Sequence, residues 1–230
     1  METSLHRALK AHYAGSTEQV EVRLGDYRID AVVGQELIEI QHGSLAAIRD
    51  KIRKLLEDHQ VLVVKPIVAR KVLVKAQGGG ATRRLSPKRG SLLDLFEELV
   101  YFTRVFPHPR LSVEVVLVEV EEWRAPGHGR RRRWRWTDHV VTDQKLTAIV
   151  DKRRLATAAD LWAMLPAGLP APFHTGDLAE LLDVRRDIAQ RIAYCLRRCG
   201  AIRQVGKRGG AWLYEAVPGK RARRRKPKAA

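Results

Sequence analysis

Cysteine is scarce in this chain of 230 residues: there are two, Cys195 and Cys199. That scarcity rules out a disulfide-built fold. The two thiols lie four apart in a helical pattern, so they share a face, and no further ligand stands near them at zinc spacing. They read as small buried residues in a reducing compartment. Long apolar runs are missing as well; none approaches the ~20 residues that span a bilayer, which excludes a helical membrane protein. The opening METSLHRALK has no apolar leader core, so a cytoplasmic protein is expected. No internal repeat is visible. Acidic residues are outnumbered, with Asp+Glu at 26 against Lys+Arg at 43, for a net charge of +17. That excess carries no information on fold. It implies a polyanionic partner, nucleic acid before an anionic membrane surface.

What is present reads as an α/β chain. Leu5, Leu9 and His12 give a short amphipathic helix from Ser4 to about Tyr13, ended by Gly15. Strand patterns follow at about 19–24, 27–33 and 37–41. Ser44 is placed to cap a helix to about Asp58, with Leu45, Ile48, Ile52, Leu55 and Leu56 as its apolar stripe. Val61 to Val64 is a continuous apolar strand, as in a sheet centre, and the strand signal resumes at Lys71 to Lys75 after Pro66. The order helix, three strands, helix, strand implies a mixed sheet covered by helices. The stretch 77–90, with three consecutive glycines and several bases, reads as a mobile basic loop. A helix over 91–105 and a long alternating strand over 111–123 come next. Arg130 to Trp136 returns as a basic β-ribbon arm or a linker, in which Trp134 and Trp136 stack on bases or, preferably, back the arm by packing.

The pair most suggestive of chemistry sits in one hairpin. With Gly34 and Gln35 as the central residues of a type II′ turn, residue 33 meets 36 and Asp30 falls opposite Glu39. Carboxylates so placed lie about 5 Å apart and repel. Gln41 shares that side of its strand. A divalent cation gives such a cluster a purpose. The alternative is that both acids are ordinary solvent-facing strand residues; the apolar surroundings of Ile38, Ile40 and Val61 to Val64 make unpaired acids expensive there.

In the second half, Thr157 to Leu165, Thr175 to Leu182 and Arg186 to about Arg198 have helical patterns. Thr175 is the expected cap of the middle one, with His174 at its entry, and Gly200 ends the last. A hairpin over 201–217 follows, with Lys207 and Arg208 near its tip, and then a like-charge tail expected to be disordered.

Two resemblances arise from these residues. Over about 155–217 the chain resembles the winged helix-turn-helix family. This implies that the helix Arg186–Arg198 enters a major groove, exposing Arg185, Arg186, Gln190, Arg191 and Arg197, with Lys207 and Arg208 on phosphates. Over about 1–76, Asp30 followed by Glu39-Ile40-Gln41 resembles the PD-(D/E)XK nuclease superfamily in its Glu-x-Gln variant, as in CoiA-like nucleases. The resemblance implies an α/β fold with a mixed sheet flanked by helices, and a catalytic set of Asp30, Glu39, Gln41 and Lys51. It also implies Mg²⁺ or Mn²⁺ held by Asp30, Glu39 and the Ile40 carbonyl. The family's usual lysine is Gln41 here, so its positive charge would come from the following helix, from Lys51 or Lys54. Glu2 and Glu18 are candidates for an auxiliary acid, and His42 reads as structural. The expected division is a nuclease-like domain at 1–123, a basic ribbon or linker at 124–154, a winged helix at 155–217 and a tail at 218–230. The expected function is metal-dependent cleavage of DNA in the cytoplasm, at the nucleoid. Its rival is a non-catalytic DNA-binding protein with a degenerate nuclease fold, and charge does not separate DNA from RNA.

Overall fold

A computed structural model describes residues 2–15, 19–77, 80–126 and 139–218. The chain divides into two compact units, Met1–Ala156 and Thr157–Ala230. No helix among the described residues is long and apolar enough to cross a membrane.

The first unit is a seven-stranded mixed sheet flanked by helices. Helix α1 (Ser4–Ala14) starts at Thr3, whose hydroxyl accepts the His6 amide, and stops at Gly15 with φ 70°. Strands β1 (Val20–Leu24), β2 (Tyr27–Val33) and β3 (Glu36–Ile40) form an antiparallel meander. Gly34 takes φ 59° in the β2–β3 turn while Gln35 stays out of the left-handed region, as a type II′ turn requires. A 3₁₀ turn (Leu45–Ile48), capped by Ser44, leads into α2 (Arg49–Leu55). The crossover then delivers β4 (Gln60–Gln77), parallel to β3. Strand β5 (Gly80–Leu85) folds back on β4. A further 3₁₀ turn (Leu92–Asp94) and α3 (Leu95–Leu99) precede β6 (Leu111–Pro126), which pairs parallel with β4, and β7 (His139–Leu155), antiparallel to β6.

Alternation along the strands fills both faces. Ala31, Ile38, Ile40, Leu62, Val64, Val116 and Val118 pack against Leu5 and Leu9 of α1. Leu37, Val61 and Val63 point the opposite way and are buried too. That second face is the one α2 serves, because Lys51 of α2 bonds Glu39 there.

Several expectations need correction. Pro66 does not divide two strands; β4 runs through it. Its missing amide faces β3, where the ladder ends at Ile40↔Val64. The segment expected as a loop at 77–90 contains β5. The helix expected over 91–105 is only α3 with its leading 3₁₀ turn, and the chain continues in turns that bury Phe102, Val105 and Phe106. The ribbon or linker expected at 124–154 falls within the first unit, which ends at Ala156, and its strand β7 pairs along β6 in the same sheet. Trp134, Trp136, Glu18 and the tail from 219 lie outside the described residues.

The second unit holds α4 (Ala158–Trp162), α5 (Thr175–Leu182), α6 (Arg186–Arg198) and an antiparallel hairpin, β8 (Ile202–Arg208) with β9 (Ala211–Ala216). The cap of α5 is His174 rather than Thr175. Its ring Nδ1 accepts the Asp177 amide at 3.0 Å, and Asp177 accepts the His174 amide at 2.7 Å. Phe173 is buried between Trp162 and Tyr214, with ring centroids at 5.9 and 5.8 Å. Cys195 and Cys199 are buried, and burial pushes both thiols up to about 12, so neither is a nucleophile near neutrality.

Leu9 is fully buried between α1 and the sheet. Leu9→Ala should cost about 2–5 kcal/mol in urea unfolding, through lost burial and the cavity left behind. A cost under about 1 kcal/mol would mean that α1 is not held by this contact.

Candidate functional site

The β2–β3 pairing runs from Val33↔Glu36 to Ala31↔Ile38 and stops. Continuing that register sets Asp30 against Glu39, as the sequence implies, and this is where the strands part. Gln41 donates its amide to the Val64 carbonyl on the β4 side at 2.9 Å. Alternation therefore turns the Ile40 amide and carbonyl toward β2. The Ile40 amide meets the Asp30 carboxylate there, at 2.8 Å from Oδ2, instead of a β2 carbonyl. On the β4 side, the next bond would run from the amide of residue 66 to the Gln41 carbonyl, and Pro66 has no such amide. The ladder ends, and the Lys65 ammonium takes the carbonyls of His42 and Gly43 at 3.1 and 2.5 Å. A fork results, with Asp30 on one arm and Glu39 on the other.

Charged side chains from both helical layers enter this fork. From α2, the Lys51 ammonium donates to both Glu39 oxygens and to the Arg28 carbonyl, each at 2.7 Å. One side chain thereby spans β2 and β3 beyond their separation. From α1, the His6 ring nitrogen Nε2 lies 3.1 Å from Asp30 Oδ1 and 3.8 Å from Glu2. Lys10, one turn further along α1 and only 5% exposed, pairs with Glu2 and with Glu21 at 2.5 Å. Glu21 is held at φ 59° inside β1, a left-handed conformation that costs a non-glycine residue on the order of 1 kcal/mol, and it also binds Arg28. A cleft of ≈ 460 Å³ is lined by Glu2, His6, Lys10, Glu21, Asp30 and His42, among others.

The two acids titrate in opposite directions. Burial raises the pKa of Glu39, and the nearby Asp30 charge adds to this, outweighing Lys51. Burial also opposes ionisation of Asp30, but the bonds from His6 and the Ile40 amide overcome it and hold its pKa below the ordinary range. Asp30 therefore adds stability above the usual carboxylate pKa that is lost as pH falls through its folded value. For Glu39 the sign is reversed: its contribution is present at low pH and is lost as pH rises through its raised value. Burial, Lys65 and Lys71 lower the pKa of His42.

The expected site residues are brought together in part. Asp30, Glu39, Ile40 and Lys51 converge on the fork. Lys54 does not reach it and pairs with Glu57 at 2.8 Å. The Gln41 amide donates to the Ser44 carbonyl at 2.8 Å, across the start of the 3₁₀ turn. Glu2 lines the cleft. His6, Lys10, Glu21 and Lys65 were not singled out from sequence. The spacing of Glu2, His6 and Lys10, four residues apart, was the available signal for His6 and Lys10.

The Asp30 and Glu39 carboxylates and the Ile40 carbonyl are hard oxygen donors of the kind Mg²⁺ or Mn²⁺ takes while keeping several waters. The donor set fits such an ion chemically. Among the described residues no group of three or more His, Cys, Asp and Glu is placed to share a metal. Protein cations already hold the Glu39 oxygens, so an incoming ion has to exchange with the Lys51 ammonium.

In the second unit Arg185, Arg186, Gln190, Arg191, Arg197, Lys207 and Arg208 are all exposed. Arg185 and Arg191 bind Asp187, at 3.0 and 3.5 Å.

Residues 3–156 match a family described as "Domain of unknown function (DUF8091)", and the match ends where the first compact unit ends. A protein of Treponema pallidum (strain Nichols), described as uncharacterized, is 31% identical over 222 residues, covering 94% of this chain and 86% of its own length. No solved structure matches the chain.

Lys51→Met should destabilise the fold by about 3 kcal/mol near pH 7, by leaving a buried, ionised Glu39 without its cation. The loss should be smaller at about pH 5 than at pH 7, because lowering the pH favours the neutral form of Glu39 and so reduces the stranded charge. Urea unfolding at both pH values measures this. An equal loss at the two would show that the stem of Lys51, not its charge, matters.

Proposed function

The chain belongs to the DUF8091 family through residues 3–156, and from its own geometry we propose that it is a metal-dependent nuclease acting on DNA, with the second unit holding the duplex. The observation that carries this reading is the fork, where Asp30, Glu39, the Ile40 carbonyl and Lys51 converge at the end of a helix, three-strand meander, helix, parallel-strand arrangement. That arrangement supports the resemblance of residues 1–76 to the PD-(D/E)XK superfamily.

Asp30, Glu39 and the Ile40 carbonyl would hold Mg²⁺ or Mn²⁺, which when bound polarises a phosphoryl oxygen and lowers the pKa of a water. The chain's own residues do the rest. His6 and the Ile40 amide fix the Asp30 carboxylate and keep it ionised. Lys51 supplies the positive charge that Gln41 lacks, from the helix instead of the strand. Once it leaves Glu39, its ammonium is free to meet a phosphate oxygen of the substrate. In the second unit, the order α5, a short turn through Asp183, α6 and a basic hairpin supports a winged-helix reading with α6 toward a major groove. The net charge of +17 favours DNA retention at the nucleoid in the cytoplasm.

A second reading is favoured by a specific observation. The Gln41 amide is taken by Ser44, and both Glu39 oxygens are taken by Lys51, as in a site that binds DNA without cutting it.

Plasmid, linear duplex and single-stranded DNA incubated with Mg²⁺ or Mn²⁺ should be cleaved by the wild type. Asp30→Ala and Glu39→Ala should lose cleavage by at least about a hundredfold while still shifting DNA in a gel. Intact binding with no cleavage of any form sinks the enzyme. Calorimetry with Mn²⁺ then decides for the second reading if no carboxylate-dependent heat appears, and duplex RNA as competitor separates DNA from RNA.

A further inference from the structure

Two aromatic side chains of the second unit lie outside its core. Helix α6 turns to solvent an arc of about 140°, from Arg186 round to Arg191. Tyr194 stands within that arc, 40% exposed, with Gln190 one turn before it and Arg197 and Arg198 one turn after. Trp212, 46% exposed, is the second. It follows the Gly209–Gly210 turn, where φ values of 53° and 84° reverse the chain. Lys207 lies across from it in the β8–β9 register and sets its ammonium 4.3 Å from the indole centroid.

Tyr214, two residues further and so on the same side of β9, is buried against Phe173. Trp212 extends that aromatic side past the point where the core ends. Its charged neighbours on the hairpin are Arg203, Lys207, Arg208 and Glu215, three bases against one acid, and the acid pairs with Arg203. A flat apolar ring carrying an ammonium, among further bases, matches a polyanion that also presents flat apolar faces. Nucleic acid has both. In an intact duplex the base faces are covered by their neighbours, whereas an unpaired base can lie on an aromatic ring.

We propose that Trp212 stacks on an unpaired base beside a duplex, which makes DNA with a junction between single and double strand the preferred ligand of the second unit. Lys207 and Arg208 take the adjoining phosphates, and the arginine-rich face of α6 takes the duplex side. This assignment rests on the nucleic-acid reading given above and narrows it to a class of substrate.

Fluorescence anisotropy with the full chain, in EDTA to prevent cleavage, compares a labelled blunt duplex with a forked duplex of equal length at one salt concentration. The wild type should bind the fork about tenfold more tightly, the scale of one aromatic–base stack. Trp212→Phe keeps a flat ring and should retain most of that preference. Trp212→Leu keeps apolar area without the flat face and should bind both DNAs alike, with thermal melting to confirm that it is folded. Equal binding of the two DNAs by the wild type, or a preference that survives in Trp212→Leu, overturns the junction assignment and leaves DNA binding standing. No binding of either DNA by the wild type overturns both.

Discussion

Beyond Ala31 and Ile38, β2 and β3 cease to pair, and the Ile40 amide turns to a carboxylate in place of a β2 carbonyl. A sheet interior seldom tolerates an unmade backbone bond, because a buried amide without a partner costs as much as a lost hydrogen bond. Asp30 removes that cost by accepting the amide. The same bond draws a negative charge into the gap and lowers the pKa of the acid. Lys51 has to come from α2 because Glu39 would otherwise be a buried anion. His6 comes from α1 for a related reason, as a donor to the remaining Asp30 oxygen. The positions of both helices on the sheet are thus tied to one irregularity between two strands.

Charge is arranged locally against the global trend. A chain with so large a basic excess gathers Glu2, Glu21 and Asp30 around one cleft and matches them with Lys10, Arg28 and His6, while Glu39 is matched by Lys51. The basic excess is nonetheless shared by both units, with 28 Lys+Arg against 20 Asp+Glu over 1–156 and 15 against 6 over 157–230.

How far the molecule is legible from sequence depends on the length scale of the signal. The meander and the register that sets Asp30 against Glu39 follow from a glycine at one turn and from alternation, both local rules, whereas Lys51 came only from the resemblance, beside Lys54. His6 and Lys10 were invisible because a histidine and a lysine on a short helix look like a solvated face until the helix is docked. Strand β5 was hidden by the glycine run that leads into it and by Gly80 and Ala81 at its start, which are poor strand formers; its pairing with β4 overrides that preference. The α5 cap was assigned to Thr175 because threonine is the commoner cap, while the His174 ring does the work through its Nδ1. The extent of the sheet was misjudged for one cause: β7 has its burial pattern interrupted where its register with β6 shifts, which masks the alternation expected of a strand.

Pro66 carries no charge and lies in a different strand from Asp30 and Glu39, yet it is the residue at which the β3–β4 ladder can go no further. The outline of the gap and its chemical equipment are therefore written at separate positions in the chain. A replacement at Glu39 or Gln41 changes what the gap presents and leaves the neighbouring ladder the same length; a replacement at Pro66 does the reverse. The two properties are free to drift independently during descent, so a gap of this shape can outlive one set of side chains and be refitted with another.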